Sequence, residues 1–344
     1  MKYSLIEKLK ISELVVWLKN KQYKVVGPKA KENQFVYGDL DSPDELKLEH
    51  KPPVLALKKY YLPQEENLLN FSFGETKGKE VDVSNNFTVV FGAHTCDIAG
   101  VICLENACDI EPKDNNFFER NKNILIIGIE CLKPCDEYAT CVTMGTHNPK
   151  GGYDLMLTDI GNQYLVHVNS QEGLNVVAND KIFVDADSEY ISKVNRIRTD
   201  KTNVFNKQLN VAENEIGVLL GRTVKSPVWD DIGKRCLSCG NCTNVCPTCY
   251  CFDVRDEVNL AVTEGRRYRV WDSCQLKEFA EVAGGENFRK DRKKRQQHRL
   301  FRKFKYPIEK YNRNFCVGCG RCSRTCMAKI SLIETINSLA KESI

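Results

Sequence analysis

Two copies of one cysteine pattern carry the most specific chemistry in this chain. Cys236-Leu-Ser-Cys239-Gly-Asn-Cys242-Thr-Asn-Val-Cys246-Pro247 recurs as Cys316-Val-Gly-Cys319-Gly-Arg-Cys322-Ser-Arg-Thr-Cys326, each reading C-x2-C-x2-C-x3-C. Three thiolates two residues apart wrap one face of a cubane in a tight, Gly-aided loop, while the fourth, on the departing helix, points toward a second cubane. The spacing therefore assigns Cys236, Cys239, Cys242 and Cys326 to one [4Fe-4S] cluster, cluster 1. Cys316, Cys319, Cys322 and Cys246 go to cluster 2, so the two loops must meet across 69 intervening residues. Zinc is the bland alternative, but zinc sites usually take two separated pairs, and here each copy supplies a third Cys at x2 and a fourth at x3.

A second set lies upstream. Cys96, Cys131, Cys135 and Cys141 number the four thiols that a third [4Fe-4S] cluster requires. The competing reading makes them small buried hydrophobes near strand ends, with Asp97 as a helix N-cap. Cys103 and Cys108 fall inside a helical pattern and read as core. Cys249, Cys251 and Cys274 flank the first motif and read as packing beneath the cluster loops.

The elements that must position these thiols follow from hydrophobic pattern. Phe87–Phe91 reads as a buried strand, Asp97–Cys108 as a helix and Ile124–Gly128 as a second strand, a β-α-β unit. It sets Cys96 and Cys131 just past the carboxyl ends of neighbouring strands, where open α/β sheets bind ligands. A third β segment is expected around Tyr164–Val168 and helix from about Asn195 to Thr223. The first 25 residues read as an opening helix followed by a short strand at Tyr23–Val26, and residues 29–86 as irregular α+β without visible chemistry. The expected architecture is α+β, with an N-terminal α/β domain over 1–225 and a ferredoxin-like dicluster domain over 226–344. A long, basic, helical insertion separates the two motifs of the second domain, and no further long strand pattern is seen past Trp229.

Composition narrows the class. Apolar residues are 42% and charged residues 28% of 344, which fits a globular protein of about two domains. No apolar run approaches the length of a membrane span, and the first ten residues do not resemble a signal peptide, so a cytoplasmic location is expected. In that setting 17 cysteines imply metal or redox chemistry rather than disulfides. The net charge of +4 conceals a local excess: Arg289–Lys305 holds ten Lys/Arg against one Asp. Aromatics interleave this stretch, a nucleic-acid signature on its own. Its place between two motifs that must meet favours a solvated helix face or charge offset for the clusters or an acidic partner.

Beyond the cubane motifs, Cys-Pro-Thr-Cys249-Tyr-Cys251-Phe, Trp271-Asp-Ser-Cys274 and Ala283-Gly-Gly285 accompany Phe-Gly-Ala-His-Thr-Cys96-Asp97, Ile-Gly-Ile-Glu-Cys131 and Cys141-Val-Thr-Met-Gly-Thr. Over about residues 85–326 the chain resembles the iron-sulfur family that comprises the beta subunit of cytoplasmic sulfhydrogenases and the corresponding iron-sulfur subunit of anaerobic sulfite reductases. Two departures stand out: Cys326-Met-Ala replaces the family's Cys-Pro, and Cys131-Leu-Lys-Pro-Cys135…Cys141 spaces its cysteines differently. The resemblance implies an electron conduit in a hetero-oligomer, with a flavin-containing, nicotinamide-reducing subunit on one side and a catalytic subunit on the other; the hydropathy and the place of the basic stretch add the expectation of no membrane and no nucleic-acid partner.

Absences agree. There is no G-x-G-x-x-G dinucleotide fingerprint, no adjacent Cys-Cys pair and no Asp-Pro-Cys-x2-Cys near the C-terminus. The alternative from another class is a reductase that acts itself on a small sulfur or disulfide compound at an N-domain iron-sulfur centre.

Overall fold

The computed structural model describes residues 2–75, 78–83, 87–148, 150–205 and 208–342. Its strands are β1 (Lys2–Glu7), β2 (Lys24–Lys31), β3 (Gln34–Asp39), β4 (Glu65–Ser72), β5 (Lys79–Glu80), β6 (Thr88–His94), β7 (Ile124–Ile129), β8 (Leu155–Asp159), β9 (Gln163–Val168), β10 (Phe183–Asp185), β11 (Phe252–Val258) and β12 (Glu264–Trp271). They form an eight-stranded sheet, β10-β1-β9-β8-β7-β6-β2-β3, and a four-stranded sheet, β11-β12-β4-β5.

The centre of the large sheet is parallel, with β2, β6, β7 and β8 side by side, and its flanks are antiparallel. A parallel strand covered on both faces must be apolar throughout, and Val89, Val90, Phe91, Leu125, Ile126 and Ile127 are all buried. The expected β-α-β unit is there: β6, the Thr95–Cys108 helix, a short Asn115–Lys122 helix, then β7. The third segment is β9, and the predicted helical stretch resolves into Ser188–Val204 and Ile216–Arg222. The resulting mixed α/β body bears out the expected fold class.

Two expectations fail. The chain opens on strand β1, not on a helix. A single 3-10 turn, Lys8–Lys10, follows the strand, the α-helix begins only at Ile11, and Leu9, counted into the helical spacing, is exposed. Strand β1 exists because β9 and β10 pair with its two edges from more than 150 residues away, a partnership no local pattern encodes. Past Trp229 the insertion also holds the β11–β12 hairpin. Its strands are largely exposed and charged, and cross-strand pairs such as Arg267 with Asp256 and Arg266 with Glu257 stand where apolar alternation was sought. Strand β12 also pairs with β4, so the small sheet draws from both halves of the chain.

The region after residue 215 supplies most of a further apolar core, with Ile216, Trp229, Ile232, Leu300, Phe304, Ile336 and Leu339, which also takes in Met144 and Leu209. Cys236 belongs to that core, and Cys316 and Cys326 pack against it. Among the described residues no helix is long and apolar enough to cross a membrane.

Candidate functional site

The two cysteine motifs fold alike. Gly240 and Gly320 take φ +75° and +71°, the left-handed turn that lets each loop curl before the short helices Asn241–Asn244 and Arg321–Arg324. Asn241 ties the two together, its Nδ2 donating to the Thr325 carbonyl at 2.8 Å and to Thr325 Oγ1 at 2.9 Å. The motifs therefore meet, as their spacing requires. Cys236, Cys239, Cys242 and Cys326 line one cavity together with Gln296 and Arg299, and Cys322 of the second motif lines it as well. Donors point at sulfur there: Ser238 N and Gln296 Nε2 reach Cys236 Sγ at 3.4 and 3.0 Å, and Ile330 N reaches Cys326 Sγ at 3.4 Å. This donor set fits an anionic thiolate cluster. On the other side Cys316 and Cys319, both held up by burial, also feel the charge of Cys322 and Cys246. Cys239 is the exposed thiol of the eight.

The basic helix Arg292–Phe304 has two faces. Arg295, Arg299 and Lys303, at successive i+4 positions, are buried, whereas most of its other cations are not. Burial opposes the charge on Arg299, yet Cys242, Cys322, Cys246 and Cys249 hold it well above its ordinary range. Lys303 is likewise desolvated but is raised by Cys246, Cys249 and Cys316, and its Nζ donates to Thr248 Oγ1 at 2.6 Å. So the buried cations of this helix lie against thiols of both motifs, Leu300 and Phe304 enter the apolar core, and Arg292 and Lys294 face solvent.

In the N-terminal half, Cys96 opens the helix after β6 and Cys131 follows β7. The thiols of Cys131 and Cys135 lie within 4.8 Å of each other, and their interaction lowers the pKa of Cys131 and raises that of Cys135. Cys135 in turn feels Cys96 and Cys141. The upstream cysteines therefore share one sheet edge. Thr140 Oγ1, Thr143 Oγ1 and His94 Nδ1 are buried there without partners among the described residues. This edge is bonded to the second motif: Thr140 N donates to the Gly318 carbonyl at 2.8 Å, Thr146 Oγ1 donates to the Val317 carbonyl at 2.7 Å, and Arg324 pairs with Asp136. A Cβ on Gly318, at φ +66°, would meet Cys141 N at 2.4 Å.

Several residues that bind this arrangement were not visible in the sequence. Arg321, fully buried between Cys96 and Cys319, pairs with Asp97 at 2.8 Å and donates through Nε to the Pro53 carbonyl at 2.8 Å. Asp97 also accepts from Tyr37 at 3.1 Å, so it is a buried ion-pair partner. Lys58, from the stretch where no chemistry was visible, donates to the Thr243 and Cys249 carbonyls at 3.0 and 3.1 Å. Arg321 left a signal, a charge inside a cluster loop; Lys58 and Asp97 left none. Cys103 and Cys108 are buried, and Cys249 touches Cys246 while Cys251 touches Cys274, which helps bring the Cys251 thiol down to about 6.

Comparison with known proteins agrees with this geometry. The family described as a 4Fe-4S dicluster domain matches residues 235–330. Sulfhydrogenase 2 subunit beta of Pyrococcus furiosus is 34% identical over 318 residues, covering 92% of each chain. No solved structure matches. With cubane-spaced thiols brought together on its C-terminal loops and a relative aligned over nearly its whole length, the chain belongs to the iron-sulfur family of sulfhydrogenase beta subunits.

Proposed function

We propose that this chain is the electron-relaying subunit of a hetero-oligomeric oxidoreductase of hydrogenase or sulfite reductase type, with a flavin- and nicotinamide-binding subunit on one side and a catalytic subunit on the other. Cys236, Cys239, Cys242 and Cys326 hold one [4Fe-4S] cluster, Cys316, Cys319, Cys322 and Cys246 the second, and the N-domain cysteines Cys96, Cys131, Cys135 and Cys141 a third. Cubane clusters accept and release single electrons with little change of geometry. The protein's part is to fix their spacing, exclude water and set their charge balance.

The observation that carries this reading is continuity. The N-domain edge is hydrogen-bonded to the second motif through Thr140 and Thr146, and the second motif to the first through Asn241 and Thr325. Arg299 lies against thiols of both motifs, and Arg321 against Cys96 and Cys319. Three cysteine groups thus form one path ending near the exposed Cys239, flanked by exposed Leu237 and Met327.

A second reading, reduction of a small sulfur compound by this chain itself, is favoured by one feature. A cleft of about 720 Å³ opens onto Cys131, Cys135, His50, His94 and Lys133. Assay of the purified chain with reduced viologen separates the two. Electron relay expects rapid cluster reduction without turnover of sulfite, polysulfide or disulfide, and co-purification of a flavin subunit from the native source. Turnover by the isolated chain overturns it in favour of the reductase.

A further inference from the structure

At the N-domain edge the residue nearest to Cys131 and Cys135 that can bind metal is a histidine. His94, Cys131 and Cys135 each offer a ligand atom, and the three atoms lie within 4.8 Å of one another. His94 ends β6 just after an irregularity in its pairing with β7, where Gly92 stands at φ +77°. Such a bulge re-aims the side chains that follow it. The imidazole is 5% exposed, and its Nδ1 has no partner among the described residues. A buried polar nitrogen left unpaired is costly unless something absent from the polypeptide completes it. His50 stacks on the ring at 4.0 Å, and the ring nitrogens of His50 lie 3.0 and 2.9 Å from the carbonyl oxygens of Gly92 and Lys51, which fixes the stack.

Cys96 is placed differently. Its thiol sits in the first turn of the helix after β6, near Cys131 but also beside Asp97, Arg321 and Cys319, and like the Cys141 thiol it falls outside the group formed by His94, Cys131 and Cys135. Cys141 is held on the loop between this edge and the second motif.

We propose that the N-domain centre is held by His94, Cys131, Cys135 and Cys141, with the imidazole taking the position given to Cys96 above. The inference rests on the reading that this edge binds an iron-sulfur centre at all. A neutral imidazole in place of a thiolate removes one negative charge from the centre, and histidine ligation raises reduction potential. The cleft lined by His50, Lys51, Lys133 and Cys135 leaves the same centre open to a small acceptor.

The test uses the full chain, prepared anaerobically with ¹⁵N-histidine, and the variants Cys131→Ser, Cys96→Ser, His94→Ala and His94→Cys. Readouts are iron per chain, pulsed magnetic resonance of the reduced protein and a redox titration. The expected results are loss of about four iron atoms in Cys131→Ser and His94→Ala, retention in Cys96→Ser, and histidine nitrogen coupling in the parent chain. His94→Cys keeps the centre, loses the coupling and titrates at a lower potential.

A bound centre without histidine coupling, or one lost with Cys96→Ser and kept with His94→Ala, overturns the histidine assignment and leaves the N-domain centre standing. Unchanged iron in Cys131→Ser overturns the N-domain centre, and the assignment with it. Should His94→Ala fail to fold, the coupling in the parent chain and the titration of His94→Cys still decide.

Discussion

Arg299 is the side chain on which the two cysteine motifs converge, since it is buried against Cys242 of the first and Cys322 of the second. A fixed cation stabilises the more negative, reduced state of whatever redox group the thiols hold. Replacing it by Gln should lower the midpoint potentials by on the order of 60 mV, the one-electron equivalent of roughly 1.4 kcal/mol. Arg299→Lys should restore most of the shift, and a potentiometric titration followed by magnetic resonance reads both. Cross-ligation is tested at single sulfurs. Cys246→Ser should remove the cluster whose other ligands lie in the second motif, leaving the signal of the first intact, and Cys326→Ser should do the converse. Loss of the cluster local to the mutated motif in either variant would refute the exchange. The eight cysteines were legible because one short loop sets their spacing. Arg321 and Asp97 meet across more than 220 residues, so neither could announce the other. Asp97 read alone looked like a helix cap, which is what an acid at a helix start ordinarily is.

At the scale of elements, the β11–β12 hairpin was illegible because charge pairing, not apolar alternation, supports it. Its anchor is Arg269 on β12, whose Nε bonds to Glu66 on β4 and whose guanidinium also reaches Asp114, while Arg120 holds the other oxygen of Glu66. Glu66 is nearly inaccessible to solvent, so it depends on both arginines. Removing one partner of a buried pair leaves an uncompensated charge, and Arg269→Ala should cost about 3–5 kcal/mol. Chemical denaturation measures this, and a loss below about 1 kcal/mol would mean that the network is not what joins β4 to the hairpin. The parallel strands β6, β7 and β8 were partly readable since burial on both faces leaves a continuous apolar run. β1 was not, because Lys2–Glu7 is a strand only by virtue of β9 and β10. The same dependence on distant backbone governs Gly318, where the second motif meets the Cys141 loop. Gly318→Ala should separate these loops and weaken any magnetic interaction between the N-domain centre and cluster 2, with cluster 1 unaffected.

Across the whole molecule, the apolar core after residue 215 contains Cys236 and packs against Cys316 and Cys326, so it is closed around thiols rather than beside them. The large sheet encloses a separate core built on Leu14, Val89, Ile127 and Leu157. Stability in the two regions should therefore respond differently to metal. Where a site exists only in the folded state, metal-binding free energy is folding free energy. Iron also neutralises thiolates that would otherwise sit buried beside one another. Anaerobic chelation should destabilise the cysteine-bearing region by at least about 3 kcal/mol, a fall of roughly 6–12 °C in its melting temperature. The large sheet should melt near its original temperature, dividing a single transition into two. Limited proteolysis locates the change: cuts should appear first between residues 236 and 330, with β6 to β9 protected until the second transition. The links that cross between the regions oppose such a division: the buried pairs Arg321 to Asp97 and Lys58 to Thr243, the apolar cluster of Cys96, Cys103, Phe315 and Val317, and the pairing of β12 with β4. They are individually worth a few kcal/mol at most. A melt that stays single and shifts as a whole would show that these links outweigh the separation of the cores, and that the cysteine-bearing loops and the sheet fold as one unit.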